Sequence, residues 1–439
     1  MRRQLEMYEK FARSDWFRHN RFGMFIHWGL YAIPARGEWV RSPERLTVED
    51  YQPYFDSFNP VDYDPAAWAR AAKAAGMKYA VMTAKHHDGF CLFDSRLTDY
   101  KSTKTPAGRD LVREYLDAFR AEGLKVGLYY SIIDWHHPDY PHYGDAHHPM
   151  RDNPAWRDAK HDFANYLDYM HGQVHELCTQ YGCLDIMWFD FSYDDMSAEK
   201  WEAGRLVRMI REHQPHVLLD NRLEASGGSF GSLIEEEPTY WSGDFASPEQ
   251  IIPPRGIVNK AGEPIPWEAC VTMNQNWGYS SRDRHFKPAS VVVRKLVECV
   301  SKNGNLLLNV GPDARGRIPD ESLAILAGVG RWMERNSASI YGCLGSPLPK
   351  PEWGRYTQNG STLYAHVFEV PIGPLHLPGV DSEDIAALRL LADGSELEIN
   401  RNWITESYEG ETFIALSPVT HDCCLPDEID TVVEIRLKS

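Results

Sequence analysis

Histidines and an aspartate directly follow apolar segments in the first half of the chain. The apolar run that begins at Met77 stops at His86 and His87, and an earlier run leads straight into His27. A third run ends at Asp190. Each run has the composition of a buried strand, so the pattern predicts a polar site at the carboxyl ends of several strands.

Asp190 follows the sequence Ile186-Met187-Trp188-Phe189, which would place its carboxylate among aromatic walls. Such a carboxylate could act as the nucleophile of a retaining glycosidase, which needs a second carboxyl group about 5 to 5.5 Å away as acid and base. An aspartate that caps the next helix or loop explains the residue nearly as well.

The second carboxyl group has several candidates, namely Glu249, Glu268 and the acidic run 235–237. Spacing does not choose among them. The acidic run is typical of a solvated loop, and Ser247-Pro248-Glu249 is equally a helix start, so each residue taken alone has a structural explanation.

The histidines raise the question of a metal site. His86 and His87 are adjacent, and neighbours on an extended strand point to opposite faces, so hydrogen bonding to substrate hydroxyls is the simpler role. A core position explains at least one of them. The loop 136–148 contains five histidines but no HExxH or comparable spacing, and we predict a mobile polar rim without metal.

Aromatic side chains and one arginine could complete a sugar-binding site. Each alone is more often a packing residue, but several fall at or just beyond predicted strand ends. Arg222 could donate to a ring oxygen or hydroxyl. The aromatic candidates for stacking on a sugar are Trp28, Trp39, Tyr130, Trp188 and Trp277.

Helix patterns alternate with these strands. Asp64 and Pro65 can cap and open a helix over 66–75, and apolar stripes recur over 111–119 and 163–177. Repeated alternation predicts parallel strands and a (β/α)8-type barrel in the α/β class. A doubly wound open sheet is the rival, but no GxGxxG loop follows a predicted strand.

The pattern changes after a predicted helix over 321–336. Short alternating segments such as 362–368 and 431–437 follow, separated by Pro, Gly and Asp turns. We therefore predict a catalytic barrel over 1–344 and a small C-terminal β-sandwich over 345–439.

Composition limits the partners. The 439 residues carry a formal charge of −17, which disfavours nucleic acid and anionic membranes, and no apolar stretch reaches the length of a membrane span.

The eight cysteines lack CxxC spacing, so we expect most of them to be reduced and buried. Residues 1–18 lack the apolar stretch of a secretory signal, which favours a cytoplasmic location. Oligomeric state is not predicted.

Taken together, the motifs resemble those of the α-L-fucosidases of glycoside hydrolase family 29, over most of residues 15–345. The first two stretches are highly specific. The stretches that carry the resemblance are 22–39 (FGMFIHWGLYAIPARGEW), 79–93 (YAVMTAKHHDGFCLF), 129–131 (YYS), 187–190 (MWFD), 267–279 (WEACVTMNQNWGY) and 303–311 (NGNLLLNVG).

The resemblance implies a retaining, exo-acting enzyme that removes terminal α-L-fucose from oligosaccharides or glycoconjugates, without metal or other cofactor. Asp190 would be the nucleophile. Glu249 would be the acid/base, with Glu268 in reserve because the family varies most around position 249. The positions similar to fucose-binding residues are His27, Glu38, Trp39, His86, His87, Tyr130, Trp188, Arg222 and Trp277.

Other functions stay open at this point. The same fold could act on α-L-galactose, a non-catalytic protein could bind sugar without hydrolysis, and a metal-dependent hydrolase would lose activity on chelation. The chain also departs from the commoner family pattern, because Phe191 and Ser192 replace a glycine after Asp190 and because the histidine-rich loop is long. These departures bear on the leaving group and the linkage.

Overall fold

The computed structural model describes residues 13–226, 229–416 and 425–438. Cys423, Cys424 and most of the segment 1–18 considered for a signal lie outside these residues. Among the described cysteines, Cys183 alone is exposed; the others are buried, and none forms a disulfide. The expectation of reduced, mostly buried cysteines is confirmed for this part of the chain.

A curled sheet of parallel strands forms the centre of the molecule. Its spatial order is β5-β4-β3-β2-β1-β7-β6, and each pairing is parallel. Nearly every strand residue is buried, as expected for strands covered on both faces. The strands are β1 Phe22–Ile26, β2 Tyr79–Lys85, β3 Lys125–Ser131, β4 Ile186–Asp190, β5 Leu218–Leu219, β6 Glu268–Thr272 and β7 Asn305–Val310.

Helices connect most of these strands. The Asp64 carboxylate accepts a hydrogen bond from Ala67 N at 2.9 Å, and Pro65 opens the helix, as predicted. The predicted stripes over 111–119 and 163–177 also lie in helices. The helices are α1 Asp15–Asn20, α2 Val48–Ser57, α3 Pro65–Ala74, α4 Leu111–Ala121, α5 Phe163–Gln180, α6 Ala203–His213, α7 Ala289–Val300 and α8 Asp320–Asn336.

Irregular chain lies between β5 and β6. Asp220 forms a parallel bridge with Phe245, Ala246 with Trp267, and Glu249 with Cys270. Asp244 N donates to Leu219 O at 2.6 Å. The segment 244–250 therefore contacts the strands on both sides, through single bridges rather than a continuous ladder.

Aromatic side chains fill the inner face of the curled sheet and seal its amino end. Phe17 packs against Phe245 and Tyr79 with ring centroids 4.8 and 5.7 Å away, and all three are fully buried. Gly23 is required on β1 because a Cβ there would lie 2.4 Å from the Tyr79 ring. The sheet is thus closed to solvent at its amino end.

Two antiparallel sheets follow at the carboxyl terminus. Their buried residues form one cluster that includes Leu363, Leu375 and Ile414 from both sheets, which confirms that the C-terminal part is β-structured. The five-stranded sheet has the order β12-β15-β10-β9-β8 and the three-stranded sheet β11-β14-β13. The strands are β8 Leu344–Gly345, β9 Gly354–Asn359, β10 Thr362–Val367, β11 Leu375–Leu377, β12 Ile385–Leu390, β13 Glu398–Ile399, β14 Thr412–Ala415 and β15 Thr431–Leu437.

Helices of the N-terminal part hold the C-terminal sheets in place. Trp332 on α8 donates its indole N–H to Asp430 O at 2.9 Å, and Arg294 on α7 donates to Ile429 O at 3.0 Å. Across the described ranges, no helix combines the length and hydrophobicity needed to cross a bilayer.

Replacing Phe17 by Ala should destabilise the protein by about 3–5 kcal/mol, because it opens a cavity at the sealed end of the sheet. Chemical denaturation followed by tryptophan fluorescence measures the change. Leu323→Ala on α8 is the control, since Leu323 is 38 % exposed and should lose under about 1 kcal/mol. Equal losses in the two variants would contradict a packing role for Phe17.

Candidate active site

A cavity opens where the carboxyl ends of the parallel strands meet. It encloses about 380 Å³, measured out to its open mouth. Aromatic rings, imidazoles and charged groups all contribute to its lining. The lining residues are Phe25, His27, Trp39, His86, His87, Tyr129, Trp188, Asp190, Phe191, Arg222, Glu249, Cys270 and Trp277.

Two carboxylates meet at one arginine in this cavity. Arg222 Nη1 donates to Asp190 Oδ1 at 2.7 Å and to Glu249 Oε2 at 2.8 Å. Because both bonds share one nitrogen, the two oxygens lie at most the sum of these distances apart, about 5.5 Å. A separation of at most about 5.5 Å between these oxygens is compatible with the about 5 to 5.5 Å typical of retaining glycosidases and is shorter than the about 6.5 to 9.5 Å of inverting ones.

Asp190 is held from both sides. Its Oδ2 accepts a hydrogen bond from the Tyr129 hydroxyl at 2.7 Å, and its Oδ1 accepts one from Arg222 Nη1 at 2.7 Å. The carboxylate is the last residue of β4 and its side chain is only 12 % exposed. Donors on both oxygens fix the direction of the carboxylate, as a nucleophile requires.

Glu249 lies nearer to solvent. Its side chain is 36 % exposed, three times the fraction of Asp190, and Oε1 accepts a hydrogen bond from the Trp277 indole at 3.2 Å. The residue belongs to the irregular segment 244–250 rather than to a strand. A carboxyl group at the mouth can exchange a proton with a leaving group and with water.

Hydrogen bonds set the tautomers of two histidines. His27 Nδ1 lies 2.8 Å from Asn309 Oδ1, and Asn309 Nδ2 donates to Trp277 O at 2.7 Å, so the amide oxygen faces His27 as an acceptor. His87 Nδ1 lies 2.7 Å from Ser131 Oγ, which donates its own proton to Ile133 O. In both neutral rings the proton is assigned to Nδ1, which leaves Nε2 free to accept from a substrate hydroxyl.

Burial keeps these rings neutral. Burial, together with nearby His87 and Arg222, lowers the pKa of His27 to about 3, against the opposing hydrogen bond with Asn309. Burial also lowers the pKa of His86 and His87 well below the usual value. Neutral imidazoles suit hydroxyl groups better than anionic ligands.

His86 and His87 both line the cavity, although they are consecutive. Strand β2 ends at Lys85, so the two side chains are no longer obliged to alternate, and their ring centroids lie 4.0 Å apart. Both histidines can therefore face the cavity, although neighbouring residues within a strand point to opposite faces.

Glu38 lies beside the cavity without lining it. Its Oε2 accepts a hydrogen bond from Gly278 N at 2.8 Å, next to Trp277, and burial raises its pKa. Trp39, the following residue, is half-buried and lines the mouth. Glu38 thus fixes the loop that carries Trp277 to the segment that carries Trp39.

Two aromatic candidates point elsewhere. Tyr130 is fully buried, and its hydroxyl donates to Gln173 on α5 at 2.7 Å, because alternation along β3 turns Tyr129 toward the cavity and Tyr130 toward the helices. Trp28 packs against Trp68 in the core and donates its indole N–H to Asp313 O. Neither lines the cavity, which corrects their expected placement.

Several of the residues that line the cavity were not predicted from the sequence. The register of β3 against β4 pairs Tyr129 with Trp188, so strand alternation counted back from Asp190 would have identified Tyr129. Phe25 could have been identified in the same way, by counting back two residues from His27. Identifying Cys270 would have required knowing that β6 begins at Glu268.

Glu268 lies at the opposite end of the sheet. It begins β6, is fully buried, and accepts a hydrogen bond from the Tyr79 hydroxyl. Burial raises its pKa to about 8, against the opposing hydrogen bond from Tyr79. It does not line the cavity, and neither does the acidic run 235–237.

The histidine-rich loop packs on itself and on the mouth. His142 stacks on Trp156 and His161 at 4.5 and 4.6 Å, and His147 contacts Trp39 at 5.7 Å. Within residues 13–226, 229–416 and 425–438, no three His, Cys, Asp or Glu side chains are arranged to hold a metal ion.

Comparison with known proteins identifies the class. Two carboxylates at one mouth of a parallel sheet, beside neutral imidazoles, are the arrangement of a glycoside hydrolase. A family profile described as Alpha-L-fucosidase matches residues 2–338. The chain belongs to the α-L-fucosidases of glycoside hydrolase family 29, as the sequence motifs indicated.

Relatives extend over nearly the whole chain. Alpha-L-fucosidase isoenzyme 1 from Paenibacillus thiaminolyticus is 62 % identical, with a TM-score of 0.94 over 98 % of this chain and 100 % of that one. A Bacteroides thetaiotaomicron α-L-fucosidase, solved as a trapped covalent intermediate, is 29 % identical with a TM-score of 0.81 over 98 % and 96 %. Human tissue α-L-fucosidase is 26 % identical over 96 % of this chain and 88 % of its own.

Glu268→Gln should change how stability depends on pH. Folding raises the pKa of Glu268 from 4.5 to about 8, so the protonated side chain makes its full contribution to stability below pH 4.5. This contribution decreases as the pH rises and is lost once the pH has passed 8. Glutamine does not titrate, so the variant should gain about 1–2 kcal/mol relative to the unmodified protein between pH 6.5 and 8.

Denaturation midpoints at several pH values measure this gain. Glu396→Gln, at an exposed position, should follow the unmodified protein. Parallel curves for Glu268→Gln and the unmodified protein would show that the carboxyl group is already ionised at pH 6.5.

Proposed function

We propose that the protein is a retaining, exo-acting α-L-fucosidase that releases terminal α-L-fucose by double displacement. The observation that carries the proposal is the shared nitrogen of Arg222, which limits the separation of the Asp190 and Glu249 oxygens to about 5.5 Å. The solved Bacteroides thetaiotaomicron relative, trapped as a covalent intermediate with 2-fluoro-fucosyl fluoride, supports the same chemistry.

In the first step, an Asp190 oxygen attacks the anomeric carbon while Glu249 donates a proton to the departing oxygen. The bond to the leaving group breaks, and an ester to Asp190 forms with inverted configuration. Tyr129 and Arg222 hold the attacking carboxylate in line.

In the second step, Glu249 removes a proton from water, and the resulting nucleophile attacks the same carbon. The ester bond breaks, Asp190 regains its charge, and a second inversion restores the original configuration. The position of Glu249 near solvent suits both parts of this acid/base role.

Sugar recognition is assigned to seven of the lining residues. His27, His86 and His87 would accept or donate at hydroxyl groups, while Trp39 and Arg222 supply N–H donors. Trp188 and Trp277 give apolar faces for the C–H surfaces and the methyl group of a 6-deoxy sugar. Because the cavity is closed at its inner end, it suits a sugar at the end of a glycan chain.

The proposal includes a closed (β/α)8-type barrel over residues 1–344 and a β-sandwich over 345–439. The bridges of segment 244–250 to both β5 and β6 support closure, with this segment in the place of one strand. The pairing of β8 Leu344–Gly345 with β9 supports a division near residue 345.

Asp190→Asn should lower turnover of 4-nitrophenyl α-L-fucoside on the order of 10³-fold or more, because the amide cannot form the ester. Release of 4-nitrophenol measures turnover, and circular dichroism checks the fold. Asp99→Asn, an exposed aspartate paired with Lys104, is the control and should keep full activity. Unchanged turnover by Asp190→Asn would remove the nucleophile assignment.

Glu249→Ala should lower turnover about 10²- to 10⁴-fold, and added azide should restore much of it while forming a fucosyl azide of retained configuration. Azide needs no general base, so it can replace water at the ester. Glu268→Ala should show no azide rescue, since Glu268 lies below the cavity. Rescue of Glu268→Ala instead of Glu249→Ala would reverse the acid/base assignment.

A further inference from the structure

Phe191, directly after Asp190, has an unusual backbone conformation. Its φ is +87°, a region that favours glycine and is costly for a bulky side chain. The next residue is firmly anchored, because Ser192 Oγ donates to Arg222 O at 2.7 Å and Ser192 N donates to Ser226 Oγ at 3.2 Å. The fold therefore keeps a phenylalanine where glycine would fit without strain.

The Phe191 ring belongs to a group of partly exposed rings. It contacts Trp39 at 5.3 Å, His147 at 4.8 Å and Tyr193 at 5.6 Å, and it lies edge to face against the buried His87 at 4.8 Å. We call Trp39, His147, Phe191 and Tyr193 the aromatic rim. All four are half-buried.

Hydrogen bonds hold two members of the aromatic rim in place. Asp145 accepts from His147 N at 2.8 Å and from the Tyr193 hydroxyl. Ser42 Oγ donates to His147 O at 2.6 Å, which ties the histidine-rich loop to the segment that carries Trp39. A surface fixed in this way loses little entropy when a ligand binds.

We propose that the aromatic rim binds the leaving group of the fucoside, and that Phe191 determines the preference for leaving groups with a flat apolar ring face, such as a pyranose or an aryl ring. The inference rests on the proposed function. It goes beyond it by naming the class of group attached to fucose and the residues that contact it.

The position of the aromatic rim supports its assignment to the leaving group. Asp190 lines the cavity with only 12 % of its side chain exposed, and buried Phe17 and Tyr79 close the amino end of the sheet, so a group on the anomeric carbon must extend toward the mouth. Glu249, which has to reach the departing oxygen, is exposed on that side, and Phe191 and Trp39 line the same cavity. Ring faces there would stack on the leaving group.

The test compares two fucosides that differ in the leaving group. Fluoride in α-L-fucosyl fluoride is too small to contact the aromatic rim, whereas 4-nitrophenyl α-L-fucoside presents a ring. Phe191→Gly removes the ring and suits the φ of +87°, so it should fold. Phe191→Leu keeps an apolar side chain, and Phe191→Tyr keeps an aromatic face.

We expect Phe191→Gly and Phe191→Leu to lower kcat/KM for the aryl fucoside about three- to tenfold, the range of an aromatic contact. Turnover of the fluoride should stay within about twofold, and Phe191→Tyr should retain the aryl preference. Ala35→Gly, which relieves another positive φ away from the lining, is the control and should change neither.

An equal fall on both substrates would overturn the inference, since it would show that Phe191 only positions Asp190. Unchanged kcat/KM on the aryl fucoside would overturn it as well. If the unmodified protein turned over neither substrate, the proposed function itself would be refuted, and this inference with it.

Discussion

The contact of Arg222 with Asp190 and Glu249 is the interaction on which the site depends. Three buried or half-buried charges gather at one mouth, and a single guanidinium nitrogen bonds both carboxylates. Without that cation, two carboxylates so close would repel each other. Arg222 is in turn fixed by Ser247 Oγ and Ser247 O, so segment 244–250 positions both the arginine and Glu249.

Strands and helices with strong local signals could be predicted from the sequence. β15 has the predicted bounds, the apolar run that leads into His27 forms β1, and the capped helix at Asp64 lies within one residue of its predicted bounds. The apolar runs identified the ends that carry His27, His86 and Asp190, because parallel strands place their carboxyl ends together. These are properties of residues adjacent in sequence.

The direction of the Tyr130 side chain and the role of segment 244–250 could not be predicted from the sequence. Choosing Tyr129 over Tyr130 requires the register of β3 against β4, which joins residues about 60 positions apart. Segment 244–250 has no strand-like pattern, since it forms single bridges and is anchored by side chains such as Asn221, which bonds Ser247. The choice of Glu249 over Glu268 therefore came from the family resemblance and not from spacing.

The sealed inner end of the sheet, where Phe17 and Tyr79 close the base, has a consequence for the catalytic cycle. Under the proposed mechanism, the leaving group must exit through the mouth before the monosaccharide that lies beneath it. Free fucose would then compete with substrate for the same cavity, and an alcohol that occupies the vacated mouth would intercept the ester in place of water.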